Sequence, residues 1–326
     1  MWEQPLPSPP SLRGGIVDVN GRSHTNRHQM NRSSRHFDSM SDRLVTRVTC
    51  SVLVGAVGFF LATVTPAENP ADEHVKVELV SEKDAIVPTE QVWLGIRFDL
   101  EEGWHTYWVN PGDSGEPPRI EWQLPTGFQV GSIEWPYPAR LSTPPFVDYG
   151  YEHQVLLSVP VLPPSGLNEG TTAEITARIH YLVCHDVCIP GRKQLLLSLP
   201  VKNHAAPGAN LLLFEETRKR QPKATPKGWK VSAASVGGEF LLTLKTGKLP
   251  VDPQFFPLEP EQIENAAPQN VTLTPGGVQL HLKKSNHLLK PLSRIRGLMV
   301  VSGTAYWLDV PVSQSPRGVQ MQFMKN

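Results

Sequence analysis

The strongest constraint on this chain is a two-residue alternation of apolar and polar side chains that returns in one segment after another. Val75, Val77 and Leu79 alternate with Lys76 and Glu78, and Val92, Leu94, Ile96 and Phe98 with Trp93, Gly95, Arg97 and Asp99. Ile175, Ala177, Ile179, Tyr181 and Val183 interleave with Glu174, Thr176, Arg178 and His180, and Leu195, Leu197 and Leu199 continue the pattern. A period of two turns one side-chain set toward a core and the other toward solvent, so each run predicts a half-buried β-strand. Between the runs stand turn-forming clusters: 110–115 (NPGDSG), Pro117-Pro118, Pro144-Pro145 and 163–166 (PPSG). The chain holds 32 prolines in 326 residues, about twice the average usage of roughly 5%. Proline supplies no donor to a sheet ladder and is tolerated at strand edges and turns, so its abundance fits many short strands with protected edges. The expected class is all-β, built as antiparallel sandwiches.

The alternation breaks near residue 202. Asn210 to Arg220 (NLLLFEETRKR) reads as one short helix with basic residues in its last turn, stopped by Pro222. Pro222, Pro226 and Gly228 then form a linker. A second alternating pattern follows at 240–245, 278–283 and 306–312. The expected organisation is a first β-domain over 70–203 and a second over 226–315, with a frayed tail at 315–326.

Residues 1–47 are polar and aperiodic. They lead into an uncharged 17-residue run, 48–64, preceded by Arg43 and Arg47 and followed by the small-residue exit Thr65-Pro66-Ala67. That order of basic, apolar and small-residue segments describes a secretory signal peptide with cleavage near Ala67. A membrane anchor formed by 48–64 is the competing reading, since about 17 residues is the short limit of a span. The basic region is long for a signal, and Met40 or Met30 is the expected start of translation. Cleavage would remove 7 basic and 4 acidic residues and leave 24 against 27, a net charge of about −3 in place of zero. Neither balance provides the basic surface that nucleic-acid binding requires. Cleavage would also remove Cys50, leaving Cys184 and Cys188 in a compartment where disulfides persist.

Those two cysteines carry the chemistry. They stand in Cys184-His-Asp-Val-Cys188, followed by Ile189-Pro-Gly191. In a fully extended strand their Cα atoms would lie about 13 Å apart, against the roughly 4.4–6.8 Å of a disulfide. Either the pair is unbonded or the strand breaks into a tight turn, and Pro190-Gly191 suggests a break. Three readings stand open. As a structural bond, closing a five-residue loop contributes only about 2 kcal/mol. As a redox pair, a short loop makes the bond labile, His185 inside it favours a thiolate when protonated, and Asp186 opposes it or accepts a proton. As a metal site, Cys184 and Cys188 would join His185 and His180, although no second cysteine pair exists to complete a closed zinc site.

Several motifs in order add a resemblance. They are 103–115 (GWHTYWVNPGDSG), 120–122 (IEW), Trp135-Pro136, 149–152 (YGYE) and 182–190 (LVCHDVCIP). Residues 74–202 thereby resemble the N-terminal periplasmic domain of the DsbD/ScsB thiol:disulfide interchange proteins. The later segment, with 255–257 (FFP) and 297–312, resembles the second immunoglobulin-like domain of ScsB-type members. The resemblance implies two immunoglobulin-like antiparallel β-sandwich domains joined by the short helix and linker. It implies a thiol–disulfide oxidoreductase component whose catalytic pair is Cys184 and Cys188, with Cys188 facing the partner, and which needs no cofactor. It further implies electrons received from a membrane-embedded donor and passed to thioredoxin-fold periplasmic proteins. No segment after residue 67 is long and apolar enough to span a bilayer, so that donor is expected to be a separate polypeptide. The stretch 144–150 (PPFVDYG) resembles the family's cap loop, which lays an aromatic ring over the disulfide. Phe146 and Tyr149 are the two candidates for that ring, and Asp148 for tuning the thiol's proton balance. The cysteine spacing is shorter than in the best-studied members. The alternative function is a non-catalytic periplasmic adaptor or a copper-stress metal-binding protein with a structural disulfide.

Five of the eight tryptophans fall at 93, 104, 108, 122 and 135. Core and turn packing is the plain reading. Trp104, His105 and Trp108 as a docking surface is the functional one. The histidines are scattered and read as surface residues.

Overall fold

The computed structural model describes residues 69–314. The leader expected over 1–67 and the tail expected over 315–326 lie outside the described residues. Ten strands form the first sandwich: β1 (Val75–Ser81), β2 (Val92–Leu100), β3 (His105–Gly112), β4 (Arg119–Gln123), β5 (Gln129–Val130), β6 (Ala139–Thr143), β7 (Phe146–Glu152), β8 (Gln154–Leu162), β9 (Thr172–Cys184) and β10 (Cys188–Pro200). One sheet has the order β1-β2-β8-β5, and the other β10-β9-β3-β7-β6, with β4 also paired to β9. The alternation seen in the sequence sets the layers. Val75, Val77, Ile96, Phe98, Ile175, Ala177 and Ile179 meet in one core, together with the fully buried Trp108.

Helix α1 (Leu211–Lys219) follows. It is held by Phe214, which packs on Val80 and Leu156 of the first sandwich. Its basic last turn, Arg218 and Lys219, complements the helix dipole.

The remaining strands are β11 (Lys223–Ala224), β12 (Lys230–Val236), β13 (Glu239–Lys245), β14 (Gln254–Pro257), β15 (Asn270–Thr274), β16 (Gly277–Lys283), β17 (Arg294–Val301) and β18 (Thr304–Gln314). They hydrogen-bond as one continuous series, β14-β17-β18-β12-β13-β16-β15. The continuity comes from β18. It pairs antiparallel with β17 along Thr304–Pro311, then parallel with β12 through Val312–Gln314. Phe255, Ile295, Met299 and Leu308 from one half bury against Phe240, Leu242 and Leu280 from the other, so the two halves enclose one core. Among the described residues the fold is all-β apart from α1 and a 3₁₀ turn at Pro70–Glu73, as the alternation predicted.

The two sandwiches lie within one compact unit. Phe256, Leu298, Val300 and Ala305 of the second sandwich are buried in the first sandwich's core cluster. Phe256 sits edge-on to Trp108 and Tyr149, with ring centroids 6.5 Å and 5.2 Å away. Among the described residues no helix is long and apolar enough to cross a membrane.

Candidate functional site

Strands β9 and β10 form a long hairpin whose last ladder pair is Cys184 and Cys188. The sequence breaks at His185-Asp186-Val187 and resumes at once, so Pro190 and Gly191 lie inside β10 rather than ending a strand. Two facts make this possible. Strand β10 is the sheet's edge, where proline's missing donor leaves no gap in a ladder. At Gly191 the Tyr181 ring lies so close that an added Cβ would come within 2.2 Å of it. The hairpin brings the two cysteine Cα atoms to 4.2 Å, and the sulfurs are bonded. That separation is close to the roughly 4.5 Å of any non-hydrogen-bonded antiparallel pair. The ladder register therefore sets the two cysteines directly opposite each other.

The cysteines differ in access. Cys184 is 2% exposed, whereas Cys188 is exposed at the hairpin tip beside Val187, itself 62% exposed. Strand parity decides what surrounds Cys184. On β9, Val183 belongs to the core, so Cys184 faces the opposite side of the sheet. On β3, Trp108 faces the core, which turns Tyr107 and His105 to the cysteine side. On β7, Val147 and Tyr149 face the core, which turns Phe146 and Asp148 to that side. The Tyr107 hydroxyl donates to Cys184 Sγ at 2.8 Å and lies 3.5 Å from Cys188 Sγ. His105, paired with Cys184 in the ladder, packs edge-on to Tyr107 at 5.2 Å. Its Nε2 is buried without a hydrogen-bond partner and stands 3.8 Å from Asp148 Oδ2.

Asp148 is 2% exposed. It accepts hydrogen bonds from the Ser114 backbone N–H at 2.9 Å and the Ser114 hydroxyl at 3.0 and 2.9 Å. These bonds fold the 113–115 turn over Tyr107. Gly115, at φ +79°, lies against the ring so closely that a Cβ would fall 2.1 Å from Tyr107 Cζ. Burial is the main cause that pushes the Tyr107 phenol up to about 12. The Ser114 hydroxyl pulls the other way and the Asp148 charge adds to the rise. The phenol is thus a donor throughout the neutral range.

The expected tuning residues separate into three places. His185 and Asp186 pair with each other at 3.1 Å on the exposed tip. The His185 ring rests against Gly103 and Trp104, and His74 stacks on Trp104 at 3.8 Å. Phe146 is 50% exposed, on the cysteine side of the sheet. Tyr149 is fully buried on the opposite side, where its hydroxyl donates to Asn265 Oδ1 at 2.8 Å. Period two forbids Asp148 and Tyr149 from facing the same way, so of the two cap-loop rings only Phe146 shares a side with the disulfide. Trp108 is likewise core and not a docking surface. His180 lies in mid-strand opposite Arg192 and Arg119. Among the described residues no three His, Cys, Asp or Glu side chains are grouped to hold a metal ion. Tyr107 joins the site only in the folded structure, through its hydroxyl on Cys184. Its signals are its place inside the 103–115 motif and two residues after His105, on a strand that only the fold shows to lie beside Cys184.

The family model for thiol:disulfide interchange protein DsbD, N-terminal, matches residues 76–200, the segment that carries the hairpin. Residues 76–200 form a DsbD N-terminal domain. Its sandwich is shared with the N-terminal periplasmic domain of ScsB from Proteus mirabilis, at TM-score 0.57 and 16% identity, over 76% of this chain and 96% of that one. That share is larger than the DsbD N-terminal segment can supply by itself, so the likeness of fold continues beyond it. The BcpA major pilin subunit of Bacillus cereus (TM-score 0.20, 11% identity, 74% of this chain and 68% of that one) and the periplasmic chaperone SfaE (0.19, 10%, 73% and 100%) are too distant to bear on the site. No curated protein matches the chain.

Proposed function

We propose that this protein is a periplasmic thiol–disulfide interchange component that relays reducing equivalents through Cys184 and Cys188. The observation that carries the reading is the asymmetry of the pair: one exposed cysteine, and one buried cysteine that already accepts a hydrogen bond from Tyr107. Thiol exchange requires access to the sulfur attacked and a good leaving thiolate. A thiolate from a donor dithiol attacks Cys188 Sγ. The Cys184–Cys188 bond breaks, and its electron pair leaves on Cys184 Sγ, where the Tyr107 O–H donates to the new charge. The donor's second thiol then resolves the mixed disulfide. The donor ends oxidised, and Cys184 and Cys188 end as the dithiol. In the second half-cycle Cys188 attacks a partner disulfide and Cys184 resolves it, which reduces the partner.

The donor in this reading is a membrane-embedded component and the acceptors are thioredoxin-fold periplasmic proteins, as befits a DsbD N-terminal domain. Export through the N-terminal segment belongs to the same reading, and the periplasmic ScsB domain of like fold supports it. Phe146 is the proposed shield over the exposed sulfur.

Trapping tests the proposal. Cys184→Ala leaves the exposed nucleophile without its resolving partner and should accumulate a mixed disulfide with a thioredoxin-fold protein. Cys188→Ala leaves only the buried sulfur and should accumulate little. Equal trapping by both variants would contradict the assignment of Cys188, and trapping by neither would favour a structural bond.

A further inference from the structure

The second sandwich reaches into the turn that covers the disulfide. Asn110, 1% exposed at the end of β3, donates from Nδ2 to the Pro257 carbonyl at 2.8 Å. Three residues on, Asp113 Oδ1 accepts from Asn265 Nδ2 at 2.8 Å, while Asp113 Oδ2 accepts from the Val147 backbone N–H at 2.8 Å. Asn265 is 6% exposed and uses both ends of its amide across the interface, because its Oδ1 accepts the Tyr149 hydroxyl. The Asp113 carboxylate needs a donor and the Tyr149 hydroxyl an acceptor, so only one orientation of the amide satisfies both.

A continuous set of contacts runs from there to the sulfurs. Asp113 is followed by Ser114, which is bound to Asp148, and then by Gly115, which lies against the Tyr107 ring. Tyr107 donates to Cys184 Sγ. The Tyr107 ring has β3 behind it and this turn in front, so the turn's position sets how closely the hydroxyl approaches sulfur. A hydrogen bond to a developing thiolate is sensitive to that approach.

We propose that Asn265 is a positioning residue for the disulfide chemistry. From the second sandwich it anchors the 110–115 turn that holds Tyr107 against Cys184, and it thereby sets how readily the disulfide is reduced. The proposal rests on the exchange reading given above and assigns the second sandwich a part in it. Asn265 does not touch the sulfurs; its side chain bonds Tyr149 and Asp113, and in this proposal it acts through Tyr107.

The test measures the rate of reduction of the folded protein by dithiothreitol, with thermal unfolding as a check on folding. Five proteins are compared: wild type, Asn265→Ala, Asn265→Asp, Tyr107→Phe, and Tyr107→Phe combined with Asn265→Ala. Asn265→Ala should slow reduction by roughly 3- to 10-fold, in the lower part of the range for neighbours in one hydrogen-bonded network, because the effect is relayed through the turn. The same change should have no further effect once Tyr107 is Phe. Asn265→Asp keeps the volume and the acceptor for Tyr149 but sets a carboxylate against Asp113. Relative to wild type at the same pH, it should slow reduction at neutral pH, and the ratio should recover as pH falls and the introduced carboxyl protonates. Should Asn265→Ala not fold, this variant and its pH profile decide alone. An unchanged rate, a faster one, or equal slowing with and without the Tyr107 hydroxyl would overturn the proposal. A wild-type pair that resists dithiothreitol would instead overturn the exchange reading itself.

Discussion

The two sandwiches arise from the same alternation and diverge in what they bury. The second sandwich fills its core with Phe240, Leu242, Leu244, Ile295 and Met299, and places its buried polar side chains, Gln262 and Asn265, in the 258–269 connection. The first also has an apolar core, but one end of its outer sheet face buries His105, Tyr107 and Asp148 around Cys184. A buried polar group without a partner destabilises a fold by about 1–3 kcal/mol. Asp148 meets that demand through Ser114, whereas His105 Nε2 does not. The first sandwich thus gathers His105, Tyr107 and Asp148 into one buried polar cluster beside a disulfide, and among the described residues the second sandwich has no such cluster against a cysteine; in the proposed function that end of the first sandwich carries the chemistry and the second supports it.

The largest expected effect tests that support. Phe256→Ala should remove about 3–5 kcal/mol of stability, as truncation of a buried aromatic does, because the ring is 2% exposed within the first sandwich's core cluster. Urea unfolding measures it. A loss under about 1 kcal/mol would mean that the two sandwiches are stable independently of each other.

Next comes the hydroxyl on sulfur. Tyr107→Phe keeps the packed ring and deletes only the donor. It should slow reduction of the disulfide by about 10- to 100-fold, since hydrogen bonds to charged groups contribute roughly 1.5–3 kcal/mol. Stopped-flow reduction by a dithiol reads this directly, and an unchanged rate would make Tyr107 a packing residue. Gly115→Ala should act on the same contact from the other side. The added methyl would overlap Tyr107, and the left-handed φ of +79° disfavours it further. The expected cost is about 1–3 kcal/mol of stability, together with slower reduction. A neutral substitution would show that the turn does not press on the ring.

The smallest expected effect is in pH. The raised phenol of Tyr107 means that the folded state holds its proton to about 12, while the unfolded chain loses it near 10. The folded state therefore binds more protons between those values, and stability should fall as pH rises through that window. Burial raises Tyr149, Tyr151 and Tyr181 in the same direction. Tyr107→Phe should make the fall shallower by one group, measured as the urea midpoint between pH 9 and 12 (roughly the phenol range).

Much of the fold was legible in the sequence because alternation is local. The strand at 92–98 and the long strand ending at Cys184 could be read residue by residue, and so could the helix starting after Asn210. What escaped was nonlocal. Pro190-Gly191 looks like a break until β10 is known to be an edge and Tyr181 to lie over the glycine. The 144–150 resemblance offered Phe146 and Tyr149 equally, and only strand parity separates them. Tyr107 is 77 residues from Cys184 and Asn265 is 152 from Asp113, separations at which sequence patterns carry no information about contact.

In the proposed function the Cys184–Cys188 bond is made to be exchanged. Its reduction potential, measured on the purified protein by equilibration with glutathione and thiol-specific labelling, tests this most directly. An exchange-active pair should equilibrate with the buffer, at a potential between about −120 and −270 mV, the span of known thiol–disulfide exchange proteins. A pair that stays oxidised throughout, with a potential below about −300 mV, would be a structural disulfide with no part in exchange.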